Sequence, residues 1–128
     1  FPLRRRIVAK IKYADHESAL EAVKEDGLEL EFVDDSLRSD RKIVLEAVKS
    51  DGTALIYADY SLKADREIVL AAVKVDFDGF ALQYAAKALK VDMDIVIVAV
   101  INDPDALIYA SKALQKNKHI QALAEHNR

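Results

Sequence analysis

The sequence contains no cysteine, and it has only three glycines and two prolines among 128 residues. Without cysteine the chain has no disulfide framework, no thiolate nucleophile and no cysteine-based zinc site, which suits a reducing compartment. The scarcity of glycine and proline disfavours a turn-rich β fold and favours helix. We therefore expect a helical protein that is cytoplasmic or otherwise intracellular.

The chain also lacks a surplus of basic charge and a long apolar run. Its formal net charge is −3, whereas proteins that bind nucleic acid usually carry a basic surplus that neutralises phosphates. Its longest apolar run covers residues 95–101, far short of the roughly 18 residues of a membrane span. We predict a soluble protein whose partners include neither nucleic acid nor membrane. No motif predicts a cofactor.

The first residues, FPLRRRIVAKIK, place basic side chains ahead of a short apolar stretch. Lys10 and Lys12 interrupt that stretch, so it does not fit a signal peptide. We interpret the arginines of residues 4–6 as the solvated face of a leading helix over residues 3–14, with a basic patch for acidic partners as the alternative. Because the chain opens at Phe1 and not at methionine, we expect it to be a piece of a larger protein.

Comparison of the chain with itself shows four consecutive units with a nearly constant period. The units cover residues 15–39, 40–64, 65–91 and 92–116, and a partial fifth unit covers residues 117–128. The period is 25 residues except in the third unit, which has two extra residues, Phe77 and Asp78. A fixed period of this length is the mark of a repeat architecture.

Each unit carries two apolar stripes with helical spacing. The first stripe of the second unit consists of Ile43, Val44, Ala47 and Val48. Its second stripe consists of Leu55, Ala58 and Leu62. Helices of about ten residues are too short to persist alone, so copies of the hairpin must support one another. The sequence predicts one all-α domain over residues 1–128, an α-solenoid-like, right-handed stack of short αα-hairpin repeats with a trailing helix near residues 118–126.

An aspartate stands before most of the predicted helices, where its carboxylate can accept hydrogen bonds from the free amides of the first turn. These predicted caps are Asp40, Asp65 and Asp92 for first helices, and Asp26, Asp51, Asp76 and Asp103 for second helices. Gly27 and Gly52 follow the second cap, but the fourth unit has Pro104 in that column. Because proline is locked near φ of about −65°, we predict that these glycines have negative φ.

The pattern D-R-E-I-V-L-A-A-V-K, followed by D-G and A-L-x-Y-A-S-x-x-L, resembles the short helical repeats known as domain of unknown function 4116. The resemblance covers residues 15–116 and is clearest in residues 40–74 and 92–114. It implies tandem αα units inside larger proteins, without an assigned catalytic activity, and it supplies no active-site residues. The first unit departs most, with Ser18 in place of Ile43, which suits a unit nearer an end of the stack.

The titratable residues show no catalytic or metal-binding pattern. Cap aspartates of neighbouring repeats would stand about 9–10 Å apart, the packing distance of helices, which is too far to share one calcium ion. The three histidines, His16, His119 and His126, lack the i, i+4 spacing of a zinc site on a helix. We therefore predict that the chain is not an enzyme and that it has neither catalytic residues nor a metal site.

One column of the repeats holds an aromatic residue in every unit. Its members are Phe32, Tyr57, Tyr84 and Tyr109. The rings could form an exposed ladder that grips a peptide or stacks on bases. Because the column keeps its aromatic type throughout, we favour packing between neighbouring hairpins, with each hydroxyl bonded at the edge.

Two other columns vary from unit to unit and lie four residues apart, which predicts a ridge on the outer face of the second helix. The ridge runs from acidic residues in the first unit through Ile56 and Tyr60 to lysines in the third and fourth units. An outward isoleucine beside an outward tyrosine is a typical interface anchor, although scattered surface apolar residues fit the pattern equally well. The inserted turn with Phe77 and Phe80 is a second docking candidate, unless its rings fold back on the core.

We hypothesise a non-catalytic protein–protein interaction module that binds a protein partner along this ridge and turn. The candidate partner-binding residues are Ile56, Tyr60, Phe77, Phe80, Gln83, Lys87, Ile108 and Lys112. The alternative is a structural spacer or substrate-recruiting region that positions a catalytic domain elsewhere in the full-length chain. The first hypothesis requires surface substitutions to weaken binding, whereas the second requires the number of repeats to matter.

Overall fold

The computed structural model describes residues 10–128, which form an all-α repeat fold. Five helices of nine or ten residues follow one another in these residues. They are α1 (His16–Glu25), α2 (Arg41–Ser50), α3 (Arg66–Val75), α4 (Met93–Asn102) and α5 (Lys118–His126). The last one confirms the predicted trailing helix. None of the helices within residues 10–128 has the length and apolar character needed to cross a membrane.

The prediction of a leading helix over residues 3–14 is wrong in its described part. Residues 3–9 lie outside the described residues, and residues 10–14 are not helical. The amide of Lys12 donates to the carbonyl oxygen of Phe32 at 2.8 Å. The backbone of this segment therefore forms hydrogen bonds with the first repeat and does not form a helix of its own.

The second half of each repeat is not the continuous ten-residue helix that the apolar stripe predicts. In the second repeat a 3₁₀ helix covers Gly52–Tyr57, Ala58 and Asp59 leave the helix, and one α-helical turn covers Tyr60–Lys63. The other repeats have the same break. Their first segments are Gly27–Phe32, Ala81–Tyr84 and Pro104–Tyr109. Their second segments are Asp35–Leu37, Lys87–Leu89 and Lys112–Gln115.

Two sets of hydrogen bonds explain the break in the second repeat. The amide of Asp59 donates to the carbonyl oxygen of Arg38, in the preceding repeat, at 3.0 Å. The carboxylate of Asp59 accepts from the amide and the hydroxyl of Ser61 at 3.0 and 2.7 Å, a local arrangement that competes with a continuous helix. Equivalent backbone bonds run from Asp34 to Tyr13, from Ala86 to Lys63 and from Ser111 to Lys90. Each break therefore attaches a repeat to the chain before it.

Neighbouring repeats pack in sequence order. Each of the helices α1 to α4 contacts the next one along the chain, and the first segments of the second halves contact each other in the same order. The two stripes predicted for the second repeat are buried, from Ile43 with no exposed surface to Leu62 at 9%. Buried side chains between Ala19 and Ala124 form one apolar cluster. The short helices are thus stabilised by their neighbours.

Gly52 marks a close approach between two repeats. A Cβ atom on this residue would lie 2.2 Å from the carbonyl oxygen of Ala72 in α3, and a Cβ on Gly27 would lie 2.2 Å from that of Ala47 in α2. Neither glycine has a positive φ, as the proline in the same column predicts. Glycine is therefore required here because it leaves space for the next helix.

Candidate partner-binding surface

The aspartates that cap the N-termini of α3 and α4 also join neighbouring repeats. Asp65 Oδ1 accepts from the amide of Ile68 at 3.1 Å, and Asp65 Oδ2 accepts from Nε of Arg41, in the preceding repeat, at 2.9 Å. Asp92 binds Arg66 in the same way. We call these two pairs the Arg–Asp ladder. The guanidinium of Arg41 holds the pKa of Asp65 below its usual range, and Arg66 has the same effect on the pKa of Asp92.

At both ends of the array, other residues replace the arginine of the Arg–Asp ladder. In the first repeat His16 stands in the arginine column, with Nε2 3.2 Å from Oδ2 of Asp40. In the fourth repeat Met93 stands there, and the next cap is the uncharged Asn117. Within residues 10–128, no three His, Asp or Glu side chains gather closely enough to hold a metal ion.

An apolar cleft opens between the 3₁₀ segments of the first two repeats and the corresponding turn of the third. This aromatic cleft has a volume of about 320 Å³ and is lined by Leu28, Thr53, Ile56, Tyr57, Phe80 and Tyr84. Leu28, Ile56 and Phe80 are 39%, 38% and 47% exposed. Large apolar side chains thus face solvent around one concave surface, which is typical of contact sites.

All of the predicted partner-binding residues are at the surface, and two of them line one cleft. Ile56 and Phe80, from different repeats, both line the aromatic cleft. The others are exposed outside it: Tyr60, Phe77, Gln83, Lys87, Ile108 and Lys112. The single helix on which the ridge was predicted is interrupted at Ala58 and Asp59, so Ile56 lies in the 3₁₀ segment and Tyr60 begins the next helical turn.

The inserted turn of the third repeat exposes both of its phenylalanines. Phe77 is 68% exposed and Phe80 is 47% exposed, so the rings do not fold back into the core. The carboxylate of Asp76 is buried and accepts from the amides of Asp78 at 3.2 Å and Ala81 at 2.5 Å. The prediction that Asp76 is the N-cap of the second half is wrong, because Phe80 stands in that position and makes no side-chain cap bond. Asp76 still bonds the first amide of the helical turn across the two extra residues.

The aromatic column combines packing with exposure. Tyr57, Tyr84 and Tyr109 pack against the core, and the first two also line the aromatic cleft. Burial raises the pKa of Tyr57, and the nearby carboxylate of Glu31 raises it further. In the aromatic cleft, Tyr57 and Tyr84 are thus the half-buried residues, and Ile56 and Phe80 are the exposed ones.

Two features of the surface were not predicted. Leu28, Thr53 and Phe80 occupy one repeat column, and this column supplies half of the residues that line the aromatic cleft. The residue in this column varies from leucine to threonine to phenylalanine. Comparison of the repeats could have used this variation to predict the cleft. The Arg–Asp ladder has a signal too, because the dipeptide Asp-Arg begins two consecutive repeats.

The model of the family described as Domain of unknown function (DUF4116) matches the chain three times in tandem, over residues 15–63, 40–77 and 65–115. Together the matches cover more than half of the chain. The chain belongs to the DUF4116 family. The three DUF4116 matches begin at cap aspartates, where α1, α2 and α3 also begin. Neither a curated protein nor a solved structure matches the chain.

Proposed function

We propose that this DUF4116 chain is a non-catalytic protein–protein interaction module whose contact site is the aromatic cleft. The observation that supports this function is the exposure of Leu28, Ile56 and Phe80 around one concave surface. Apolar side chains gain free energy when a partner removes them from water, so a cluster of them favours association.

The size and lining of the cleft favour side chains of a protein over a metabolite. Its volume of about 320 Å³ is at the lower end of the roughly 300–1,000 Å³ of small-molecule sites. No charged residue lines it, so a charged ligand would lose hydration without compensation. An apolar or aromatic side chain does not have that cost, and the hydroxyls of Tyr57 and Tyr84 can bond polar groups beside it.

We infer further that the repeats form an α-solenoid-like stack that holds the cleft in one shape. The serial packing of the helices and the Arg–Asp ladder support this inference. A preformed surface reduces the ordering cost of binding, which raises affinity for a given contact area. The right-handed sense of the stack stays a prediction.

The test compares three forms of the chain: the unsubstituted chain, Ile56→Asp/Phe80→Asp, and Ile11→Asp/Val91→Asp as a matched control. Both pairs place carboxylates at exposed apolar positions, but only the first pair lies in the aromatic cleft. Partners captured by the unsubstituted chain are identified by mass spectrometry. The most abundant one is purified and titrated against all three forms by calorimetry.

We expect the cleft substitutions to raise the Kd of the purified partner by at least about tenfold, because truncation of central apolar anchors has effects of that size. The control pair should retain the affinity of the unsubstituted chain. Thermal melting followed by circular dichroism checks that each form folds. Equal affinity in all three forms would exclude the cleft as the contact site.

A structural spacer that positions a catalytic domain of a longer protein is the second candidate function. The backbone hydrogen bonds that attach Asp34, Asp59, Ala86 and Ser111 to the chain before them favour it, because they make the array mechanically continuous. A spacer requires that deletion of one repeat, residues 40–64, changes the activity of the linked domain. The cleft substitutions should then leave that activity unchanged.

A further inference from the structure

A second groove lies between α2 and α3, and it shares no residue with the aromatic cleft. It has a volume of about 300 Å³. Its apolar lining consists of Leu45, Leu70, Ala71 and Val75, and its charged lining consists of Lys49, Glu67 and Lys74. We call it the lysine groove.

Comparison of the repeats explains why the lysine groove is open. Ala71 of α3 stands where α2 has Glu46 and α4 has Val98, so a small side chain leaves room at this position. A second column holds Lys49 in α2 and Lys74 in α3, whereas α4 has isoleucine. In the sequence, only the pair α2 and α3 combines two lysines with an alanine at these positions.

The charges around the groove are unbalanced. The carboxylate of Glu67 binds the guanidinium of Arg41. Nζ of Lys49 is 3.8 Å from an oxygen of Glu46, and Lys74 makes no ion pair with any other residue in 10–128. The groove therefore presents weakly neutralised ammonium groups beside an apolar floor.

We propose that the lysine groove binds an acidic, apolar segment of a partner protein. A large apolar side chain of that segment packs on Leu45, Leu70 and Ala71, and neighbouring carboxylates pair with the two lysines. A basic segment would place like charges together, and a neutral one would gain only the apolar contact. This surface goes beyond the function proposed for the aromatic cleft and does not depend on it.

The test uses three fluorescein-labelled synthetic peptides and fluorescence anisotropy with the complete 128-residue chain. The peptides carry leucine and phenylalanine at the same positions and have glutamate, glutamine or lysine at all the others. Titrations are made at about 50 mM and about 300 mM salt, because screening weakens exposed charge pairs. We expect the glutamate peptide to bind at least about tenfold more tightly than the other two, and more weakly at high salt.

Variants of the chain locate the binding surface. Ala71→Val introduces the residue that α4 has at this position, so it should fill the groove, weaken the glutamate peptide about tenfold and leave the thermal midpoint unchanged. Lys49→Glu/Lys74→Glu should weaken the same peptide by a similar factor. Lys42→Glu/Lys118→Glu, which reverses two exposed lysines outside the groove, should retain binding.

The outcomes separate this surface from its alternatives. The proposal is overturned by equal binding of the three peptides, by no binding of any of them, or by an equal loss in both lysine variants. It is also overturned if a labelled single-stranded oligonucleotide binds more tightly than the glutamate peptide, because the lysines would then serve phosphates. Retained binding of the glutamate peptide in Ile56→Asp/Phe80→Asp supports a site that is independent of the aromatic cleft.

Discussion

Nε of Arg66 lies 2.7 Å from Oδ2 of Asp92, the carboxylate that also caps α4 of the next repeat. The other oxygen of this carboxylate accepts from the amide of Ile95 at 3.2 Å. One side chain thus caps the start of a helix and joins two repeats. The hydrogen bond from Arg66 lowers the pKa of Asp92, so its charged form is favoured in the folded chain.

Acid is therefore expected to weaken the fold through Asp92. Because its folded-state pKa is lowered, the stabilisation is present above the unfolded-state value of about 3.9 and is lost as the pH falls through the folded-state value. Asp92→Asn retains a capping side chain but removes the charge. We expect the thermal midpoint to fall less in Asp92→Asn than in the unsubstituted chain between about pH 6 and about pH 3. Circular dichroism measures both midpoints.

A matched control for this experiment is Glu21→Gln, which removes a carboxylate from an exposed position outside the ladder. This variant should follow the pH dependence of the unsubstituted chain. If Asp92→Asn and the unsubstituted chain lost the same number of degrees in acid, the ion pair with Arg66 would have no part in the acid sensitivity.

The Arg–Asp ladder can be extended by one step. Met93 occupies the arginine column, and the cap of the next helix is Asn117. We expect Met93→Arg and Asn117→Asp together to be more stable than the sum of the single variants, by about 0.2–1 kcal/mol, the range for exposed ion pairs. Urea denaturation of the four members of the double-mutant cycle measures the coupling. A coupling of zero, or one that persists in high salt, would contradict an ion pair in this column.

Sequence reasoning placed the first helices and their caps correctly because both depend on local signals. The stripe of α2 repeats with the helical period, and Asp40 stands directly before it, so neighbouring residues alone determine this element. The same signals predicted the trailing helix α5. They also predicted the negative φ of Gly52. Pro104 stands in the same column, and proline allows only a negative φ, so the other repeats were expected to share it.

The break in the second half of the repeat depends on contacts that periodicity does not contain. The apolar stripe through Leu55, Ala58 and Leu62 is buried as predicted, but the amide of Asp59 bonds to Arg38, 21 positions earlier in the sequence. A 3₁₀ segment keeps residues three apart on one face, so Gly52 and Leu55 are both buried without a full helix. The aromatic cleft was missed for this reason, because its shape depends on where each 3₁₀ segment ends.

Gly52 supplies a steric prediction. A Cβ atom there would lie 2.2 Å from the carbonyl oxygen of Ala72, so Gly52→Ala should force α3 away and destabilise the chain by about 1–3 kcal/mol, as overpacking does. Pro104→Ala, in the same column of the fourth repeat, is the control and should change the free energy of unfolding by less than about 1 kcal/mol. Urea denaturation measures both. If Gly52→Ala were neutral or stabilising, the close approach of the two repeats would be wrong.

The two extra residues of the third repeat allow a test of the architecture itself. Phe77 and Asp78 are exposed, and without them Asp76 would stand directly before Gly79, as Asp51 stands before Gly52 in the second repeat. We expect a chain that lacks both residues to fold with a free energy of unfolding within about 1 kcal/mol of the complete chain, because the deletion removes little buried surface. Thermal and urea melting give this difference.

Removal of Asp51 and Gly52 is the opposite case, because it deletes a cap and a residue that leaves space for α3. That chain should lose most of its cooperative unfolding transition, since the second repeat could no longer pack on the third. A large loss after deletion of Phe77 and Asp78 would mean that the inserted turn supports the fold. Its exposed rings would then have to contribute to packing between α3 and α4, and a role in partner binding would no longer be needed to explain them.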